Sequence, residues 1–393
     1  MMNFHRRNIL AAYSSFSTPQ GAEEFYMTCD TNDEAPFFLS LEELHTVYCE
    51  MLRECGLSED TQVFCRFYLS DIANQKEELL RSRACRMARS GAVSIIQQSP
   101  LSHGPVSLLA YHVRNTAASY EKKILACDTE GWRNGAVLSG KHYSLVLTAN
   151  FSGNGDFDSY RQTGEILRTF NGVLEDNGLT MLGNTVRKWV YVRDIDNHYN
   201  GMVKARREYF AEHGLTSDTR FIASTGIEGK LKETNTLVSL DAISIKNLRR
   251  EQIILMEALD HLCPTIDYGV TFERGSRIQF GDRSHLYISG TASIDSAGEI
   301  LYPGDVIRQT SRTIENIRAL LAPHGADLSD MAYLIVYLRD FKEQPKVMRV
   351  LEREIPPEIP LLFVEGAVCR PSWLVEIEGT GIIPDANEYP PFL

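Results

Sequence analysis

The chain lacks the signatures that mark most metal, membrane and nucleic-acid proteins. Its eight cysteines, Cys29, Cys49, Cys55, Cys65, Cys85, Cys127, Cys263 and Cys369, form no CxxC pair. That argues against a structural zinc site. The ten histidines show no HxH or HxxxH spacing. No apolar stretch approaches the ~20 residues of a membrane helix. Positive charge is scarce as well: the net charge is −12, whereas a phosphate backbone demands clustered Lys and Arg. The basic start His5-Arg6-Arg7 is too short to change this, and the apolar run Ile9 to Ala12 is too short for a signal-peptide core. The expectation is a cytoplasmic, soluble protein with reduced, mostly buried thiols. Metal, nucleotide and flavin signatures are missing, so no cofactor is expected, and neither nucleic acid nor membrane is expected as a partner.

What the chain does have is a repeat. Arg66-Phe-Tyr-Leu-Ser-Asp-Ile72 returns as Lys188-Trp-Val-Tyr-Val-Arg-Asp-Ile195 and as Ile335-Val-Tyr-Leu-Arg-Asp-Phe341. Each copy follows a helix-like stretch ending at a glycine, Gly56, Gly178 or Gly325. A glycine there suits a left-handed C-terminal cap. The chain therefore reads as three versions of a unit of roughly 130 residues.

The repeats run over about 20–115, 140–247 and 265–385. They divide the chain into 1–139 (repeat one with its linker), 140–247 (repeat two) and 248–393 (a connecting helix, repeat three and a tail). The linker Asn115 to Gly140 is polar, and Asn247 to Leu262 reads as a helix. Within each repeat a strand leads: Glu24–Thr28, Tyr143–Asn150 or His285–Ile294. An amphipathic helix follows, with Ile166, Leu167, Phe170, Val173 and Leu174 in repeat two. In repeat three the matching set is Thr313, Ile314, Ile317, Leu320 and Leu321. The Tyr-containing strand, a second helix and two strands complete it. The last pair is Leu361–Cys369 and Trp373–Ile382, joined at Arg370-Pro371-Ser372. The order β–α–β–α–β–β predicts an α+β layer with helices on one face. Three such sheets in one chain can cover each other, so a monomeric pseudo-trimer is expected.

Comparing the copies locates candidate chemistry. Their last strands read Val106-Ser107-Leu108-Leu109, Val238-Ser239-Leu240-Asp241 and Val375-Glu376-Ile377-Glu378. Only repeat three has a carboxylate at the second position. Strand alternation puts Glu376 and Glu378 on one face. In an apolar cleft such a Glu holds its proton toward neutral pH and becomes a general acid. Glu378 reads rather as structural. Cations for a carboxylate ligand are available nearby. Arg206 lies seven residues, two helical turns, after Tyr199, and Arg187 begins the adjoining strand. Gly290, Thr291 and Ala292 offer backbone N–H groups and a small wall, or simply strand packing. Arg370 reads as an anion contact or a solvated turn residue. Asp194 and Asp340 recur in matching turns and read as structural.

Repeat three carries Leu286-Tyr-Ile-Ser-Gly-Thr-Ala-Ser-Ile294, Pro303-Gly-Asp-Val-Ile-Arg-Gln-Thr310, Tyr337-Leu-Arg-Asp340 and Val375-Glu-Ile-Glu378. These stretches resemble the YjgF/RidA superfamily, whose small members form trimers with pockets between subunits. Repeats two and three together look like the chorismatases, which act on the enolpyruvyl ether of chorismate. Arg187-Lys-Trp-Val-Tyr191 with Tyr199, Met202, Arg206 and Phe210 carries this, as do Ala223-Ser-Thr-Gly-Ile227 and Cys369-Arg370. The resemblance implies that Glu376 protonates the enol ether and that Tyr199 and Arg206 bind the substrate. It also places a cysteine at Cys369 in the subtype that forms a hydroxybenzoate; the other product is a dihydrodiol acid, with pyruvate in either case. One active cleft per chain is expected, between repeats two and three. The competing reading is an enamine/imine deaminase like the small RidA proteins. Those carry an arginine after a proline on the penultimate strand, where this chain has Pro360-Leu-Leu-Phe-Val364. A third reading is a metabolite-binding protein without catalysis.

Overall fold

The computed structural model describes residues 4–6, 9–19, 21–32, 35–115, 120–127 and 132–393. Unit one comprises β1 (Phe4–Arg6), β2 (Ile9–Phe16), β3 (Glu23–Thr31), α1 (Phe37–Glu54), β4 (Gln62–Leu69), α2 (Ile72–Arg81), α3 (Arg83–Ala88), β5 (Ala92–Gln97) and β6 (Val106–Arg114). Unit two comprises β7 (Glu121–Cys127), β8 (Trp132–Ser139), β9 (Ser144–Ser152), α4 (Ser159–Asp176), α5 (Met181–Asn184), β10 (Thr185–Val192), α6 (Ile195–Glu212), β11 (Ala223–Glu228) and β12 (Val238–Lys246). Unit three comprises β13 (Ile253–Leu255), β14 (Gly275–Gln279), β15 (Arg283–Thr291), α7 (Val306–Leu321), β16 (Met331–Leu338), α8 (Gln344–Glu354), β17 (Leu361–Glu365) and β18 (Val375–Pro384).

Each unit forms one six-stranded sheet with equivalent strand order, β1-β2-β3-β6-β4-β5 in unit one and β13-β14-β15-β18-β16-β17 in unit three. The repeated Tyr-containing strands are β4, β10 and β16. The glycines that follow the first long helices have φ of +64°, +68° and +69° at Gly56, Gly178 and Gly325. A side chain there would be strained, which is why the helix stops where it does.

Three expectations are corrected. The stretch read as a linker supplies β7 and β8 to the second sheet. The stretch read as a connecting helix is a 3₁₀ turn at Arg250–Gln252 followed by β13. Its apolar side chains pair with β14 rather than lining a helix face. The last two strands are not a hairpin: β17 runs parallel to β16 on one side, and β18 pairs antiparallel on the other. A parallel neighbour needs a crossover, which α8 provides.

Alternation splits each sheet into a helix face and an inner face. Leu44, Val47 and Met51 of α1 pack on Met27, Cys65 and Phe67. Ile166 and Phe170 of α4 pack on Val190 and Val192. The inner faces of all three units merge into one core containing Tyr68, Tyr191 and Tyr337. A fully buried ion pair crosses each seam: Arg66–Asp241 (3.0 Å) between units one and two, Arg187–Glu378 (2.7 Å) between two and three, and Arg283–Glu24 (2.8 Å) between three and one. The chain is thus a mixed α+β protein of three tandem units closed around a pseudo-threefold axis. Among the described residues no helix is long and apolar enough to cross a membrane.

Candidate active site

The seam between units two and three opens a cleft lined by Tyr199 and Arg206 of α6, Ser224 and Gly226 of β11, Gly290 of β15 and Glu376 of β18. Phe272, Arg274, Ala292, Ile294, Cys369 and Trp373 complete the wall. The edge of β11 is stitched to unit three. The Ser224 N–H donates to Ser289 Oγ (2.8 Å), and the Gly290 N–H donates to Thr225 Oγ1 (2.9 Å).

Glu376 and Glu378 share a face but have different surroundings. Glu378 accepts from Arg187 Nη2 (2.7 Å) and from Trp189 Nε1 (2.6 Å) and is completely buried. It is a structural tie across the seam. Glu376 is 5% exposed, and no described residue hydrogen-bonds or ion-pairs with it. Burial raises its pKa to about 8, helped by the charge of Glu378 and opposed by Arg187 and Arg274. At neutral pH it is a carboxylic acid, able to donate a proton. Gly290 makes the room. A methyl group there would lie 2.8 Å from the Glu376 carboxyl carbon and 3.0 Å from Thr225 Cγ2.

Cys369 is half-buried beside Glu376 and Tyr199. Burial and the neighbouring Glu376 push its thiol up to about 12, despite the Tyr199 hydroxyl and the charges of Arg370 and Arg206. It is a neutral thiol, not a thiolate nucleophile. Arg206 is buried, although it sits on a long helix, and its Nε donates to Thr271 Oγ1 (3.2 Å). Its neighbour Arg207 points to solvent.

Of the nine residues singled out from sequence, six line the cleft: Glu376, Cys369, Arg206, Tyr199, Gly290 and Ala292. The other three lie behind or beside it. Arg187 is engaged by Glu378 and by Thr225 Oγ1 (2.6 Å). Its charge acts on Glu376 from behind the wall. The Thr291 hydroxyl donates to the Ser289 carbonyl (2.9 Å) and supports the bulge where β15 meets β18. The Arg370 guanidinium lies 5.2 Å from the Trp373 ring centre. The second cation of the cleft is Arg274, which sequence reading missed. It precedes β14 and donates to the Cys263 carbonyl (3.0 Å from Nη2) while lining the cleft. The available signal was the strand-like run Val270 to Gly275, which carries the register of β14 one residue further. Trp373 was also missed; its Nε1 donates to the Ser293 carbonyl (2.9 Å) and holds the ring as a cleft wall.

The open space between these side chains is about 30 Å³, room for one or two waters. Roomier hollows lie elsewhere. One of about 360 Å³ at the seam of units three and one is lined by Tyr13, Phe16, Tyr26, Asp330 and Glu358, with no Arg or Lys. Another of about 520 Å³ is an open groove between α4 and α6, where Arg161 and Arg168 face Glu165, Glu208 and Glu212. The first has no cation and the second balances its arginines with glutamates, whereas the smaller cleft sets Glu376 beside Arg206 and Arg274.

Comparison with known proteins bears on the fold and on unit three. Residues 278–383 match the family Ribonuc_L-PSP, Endoribonuclease L-PSP. A 3-aminoacrylate deaminase RutC from Acinetobacter baylyi is 29% identical over 93 residues, 23% of this chain and 74% of that protein. A 3-hydroxybenzoate synthase from Streptomyces hygroscopicus is 31% identical over 113 residues, 26% of this chain. The chain spans only 33% of that relative's length in the match. A solved chorismatase structure superimposes with a TM-score of 0.62 at 17% identity, covering 82% of this chain and 93% of that one. It shares the fold. Residues 278–383 are thus similar to RidA-like proteins, and the chain as a whole shares its fold with the solved chorismatase.

Proposed function

We propose that the protein is a chorismatase-like enzyme, with one active cleft at the seam of units two and three. The observation that carries this reading is a neutral carboxylic acid, Glu376, unpaired among the described residues and facing the same cleft as Arg206 and Arg274. Two guanidinium groups suit a substrate with two carboxylates. Ser224 Oγ, which bonds to no described protein group, adds a polar contact. Similarity to a 3-hydroxybenzoate synthase over 113 residues supports the same substrate class.

The chemistry runs through one proton. Glu376 protonates the terminal methylene of the enolpyruvyl ether and leaves an oxocarbenium ion beside its new carboxylate. Loss of the three-carbon unit then releases pyruvate. If water adds to the cation, the ring leaves as a dihydrodiol acid. If the neighbouring ring hydroxyl adds to the cation instead, its oxygen leaves the ring as the carbonyl oxygen of pyruvate, the ring loses a proton and aromatises to a hydroxybenzoate, and no net water is consumed. The neutral Cys369 thiol in the cleft wall, by resemblance to the hydroxybenzoate-forming subtype, favours the hydroxybenzoate branch.

The test is incubation of the purified chain with chorismate and product identification by mass spectrometry. Pyruvate with 3-hydroxybenzoate is the expected outcome, and Cys369→Ala shifts the product toward the dihydrodiol acid. Unchanged chorismate together with accelerated loss of a 2-imino acid would replace this reading with the deaminase one.

A further inference from the structure

The inner core contains a polar cluster that the cleft does not use. Tyr68 of β4, Tyr191 of β10 and Tyr337 of β16 occupy the same position in the three repeated strands. All three are buried; the Tyr191 and Tyr337 hydroxyls bond to no described protein group, and the Tyr68 hydroxyl lies against the Arg66 guanidinium without a well-aligned bond. They are close enough to perturb one another's ionisation, with Arg66 favouring it and Glu378 opposing it. Arg66 lies among them, 5.5 Å from the Tyr191 ring centre. Its Nε (3.3 Å) and Nη2 (3.0 Å) donate to Asp241, while Nη1 meets no described protein acceptor. Gln98 closes the cluster at one end. Its Nε2 donates to the Glu228 carbonyl (2.6 Å), its Oε1 is unpartnered among the described residues, and it adjoins Tyr337 across Gly366.

Poorly satisfied polar atoms buried in the inner core of all three units do not make a dry arrangement. A buried hydroxyl without a partner loses its hydration and regains nothing. Buried polar atoms are nearly always satisfied by protein or by ordered water. The guest's charge follows from its surroundings. Arg66 is balanced by Asp241, and Arg187 by Glu378. Neither guanidinium leaves a net charge for an ion to cancel. The unpartnered atoms include donors (Arg66 Nη1 and the phenols) and acceptors (Gln98 Oε1 and the phenols). A small neutral molecule that both donates and accepts satisfies them all.

We propose that the pseudo-threefold axis holds an internal water cluster, to which each unit contributes one tyrosine hydroxyl, acting as a hydrated joint between the three units. The joint depends on units one, two and three together and does not require the cleft to be catalytic.

The sign of a thermal shift tests this. In the full chain, Tyr68→Phe and Tyr191→Phe each remove a water ligand, so each lowers the melting midpoint by roughly 1–2 °C. The double variant loses less than the sum, because the waters are shared. An unchanged or raised midpoint in both single variants would mean that the hydroxyls sit dry, and would overturn the proposal. A crystal structure of the full chain provides the second reading. Density within hydrogen-bond distance of at least two of the three hydroxyls is expected. Hydroxyls bonded directly to protein groups, or an anomalous peak there after a bromide soak, would replace water with no guest or with an anion.

Discussion

The seam between units two and three and the seam between units one and two are built from the same strands and put them to different uses. In the first, β15 places Gly290 opposite β18, and the space left by its missing side chain holds Glu376. In the second, the matching bulge of β9 holds Asn150, and the matching strand β12 holds the small Ser239. The Asn150 side chain accepts from the Ile95 N–H of unit one (2.9 Å). Polar capacity spent on stitching the seam is unavailable to a ligand. Unit one repeats the theme: Asp30 faces Ser107 and is held by it and by Ser102 (2.7 Å). Two exchanges, a side chain on the facing strand for a glycine and a serine for a glutamate, separate a joint from a candidate site.

The largest expected effect comes from taking the proton donor away. Glu376→Gln should lower chorismate turnover, read as pyruvate release, by roughly 10²–10⁴-fold while circular dichroism stays native. Turnover that survives would remove the distinction between the seams. The same variant has a pH signature. With the folded pKa raised from 4.5 to about 8, both states hold the proton below the lower value. As pH rises through this window the unfolded chain ionises first, so the native protein loses stability. Thermal melts of wild type against Glu376→Gln should therefore diverge with rising pH, the variant gaining, until about pH 8. Wild-type kcat/KM should decline above the same value.

Next in size is the buried tie. Glu378→Ala leaves Arg187 without its counter-charge and should cost about 3–5 kcal/mol by denaturant unfolding. Arg66→Ala, in the equivalent pair of the other seam, should cost a similar amount, because both pairs serve closure. A tolerant Glu378 would mean that the two acids of β18 are less different than their partners indicate.

Gly290→Ala sharpens the comparison at lower cost. The added methyl presses on the Glu376 carboxyl and should destabilise by about 1–3 kcal/mol, with a drop in kcat larger than any change in KM. Full activity would show that the room beside Glu376 is dispensable. The smallest effect belongs to the silent seam. Asn150→Ala removes the bond to the β5 backbone and should cost about 1 kcal/mol of stability, with activity unchanged.

Much of this was legible from residue order. The recurring Tyr-containing strand and the capping glycines announced three units. Alternation put Glu376 and Glu378 on one face, and spacing put Tyr199 and Arg206 on one side of α6. The failures share a cause. The stretches read as a linker and as a helix became outer strands of their sheets because sheet partners 20 or so residues away outweighed local pattern. Arg187 was read as a ligand because its engagement by Glu378, 191 positions away, leaves no trace along the chain. Arg274 was passed over because it lies between recognisable elements.

The sequence by itself determined the threefold repetition, the α+β class and the uniqueness of the acid in the last copy, since periodicity and composition are local properties of the chain. Only the tertiary structure decided which of two neighbouring glutamates is spent on an ion pair and which keeps its proton. Ionisation in a protein interior depends on lost hydration and on charges a few ångströms away. Those charges arrive from units that are distant in the chain.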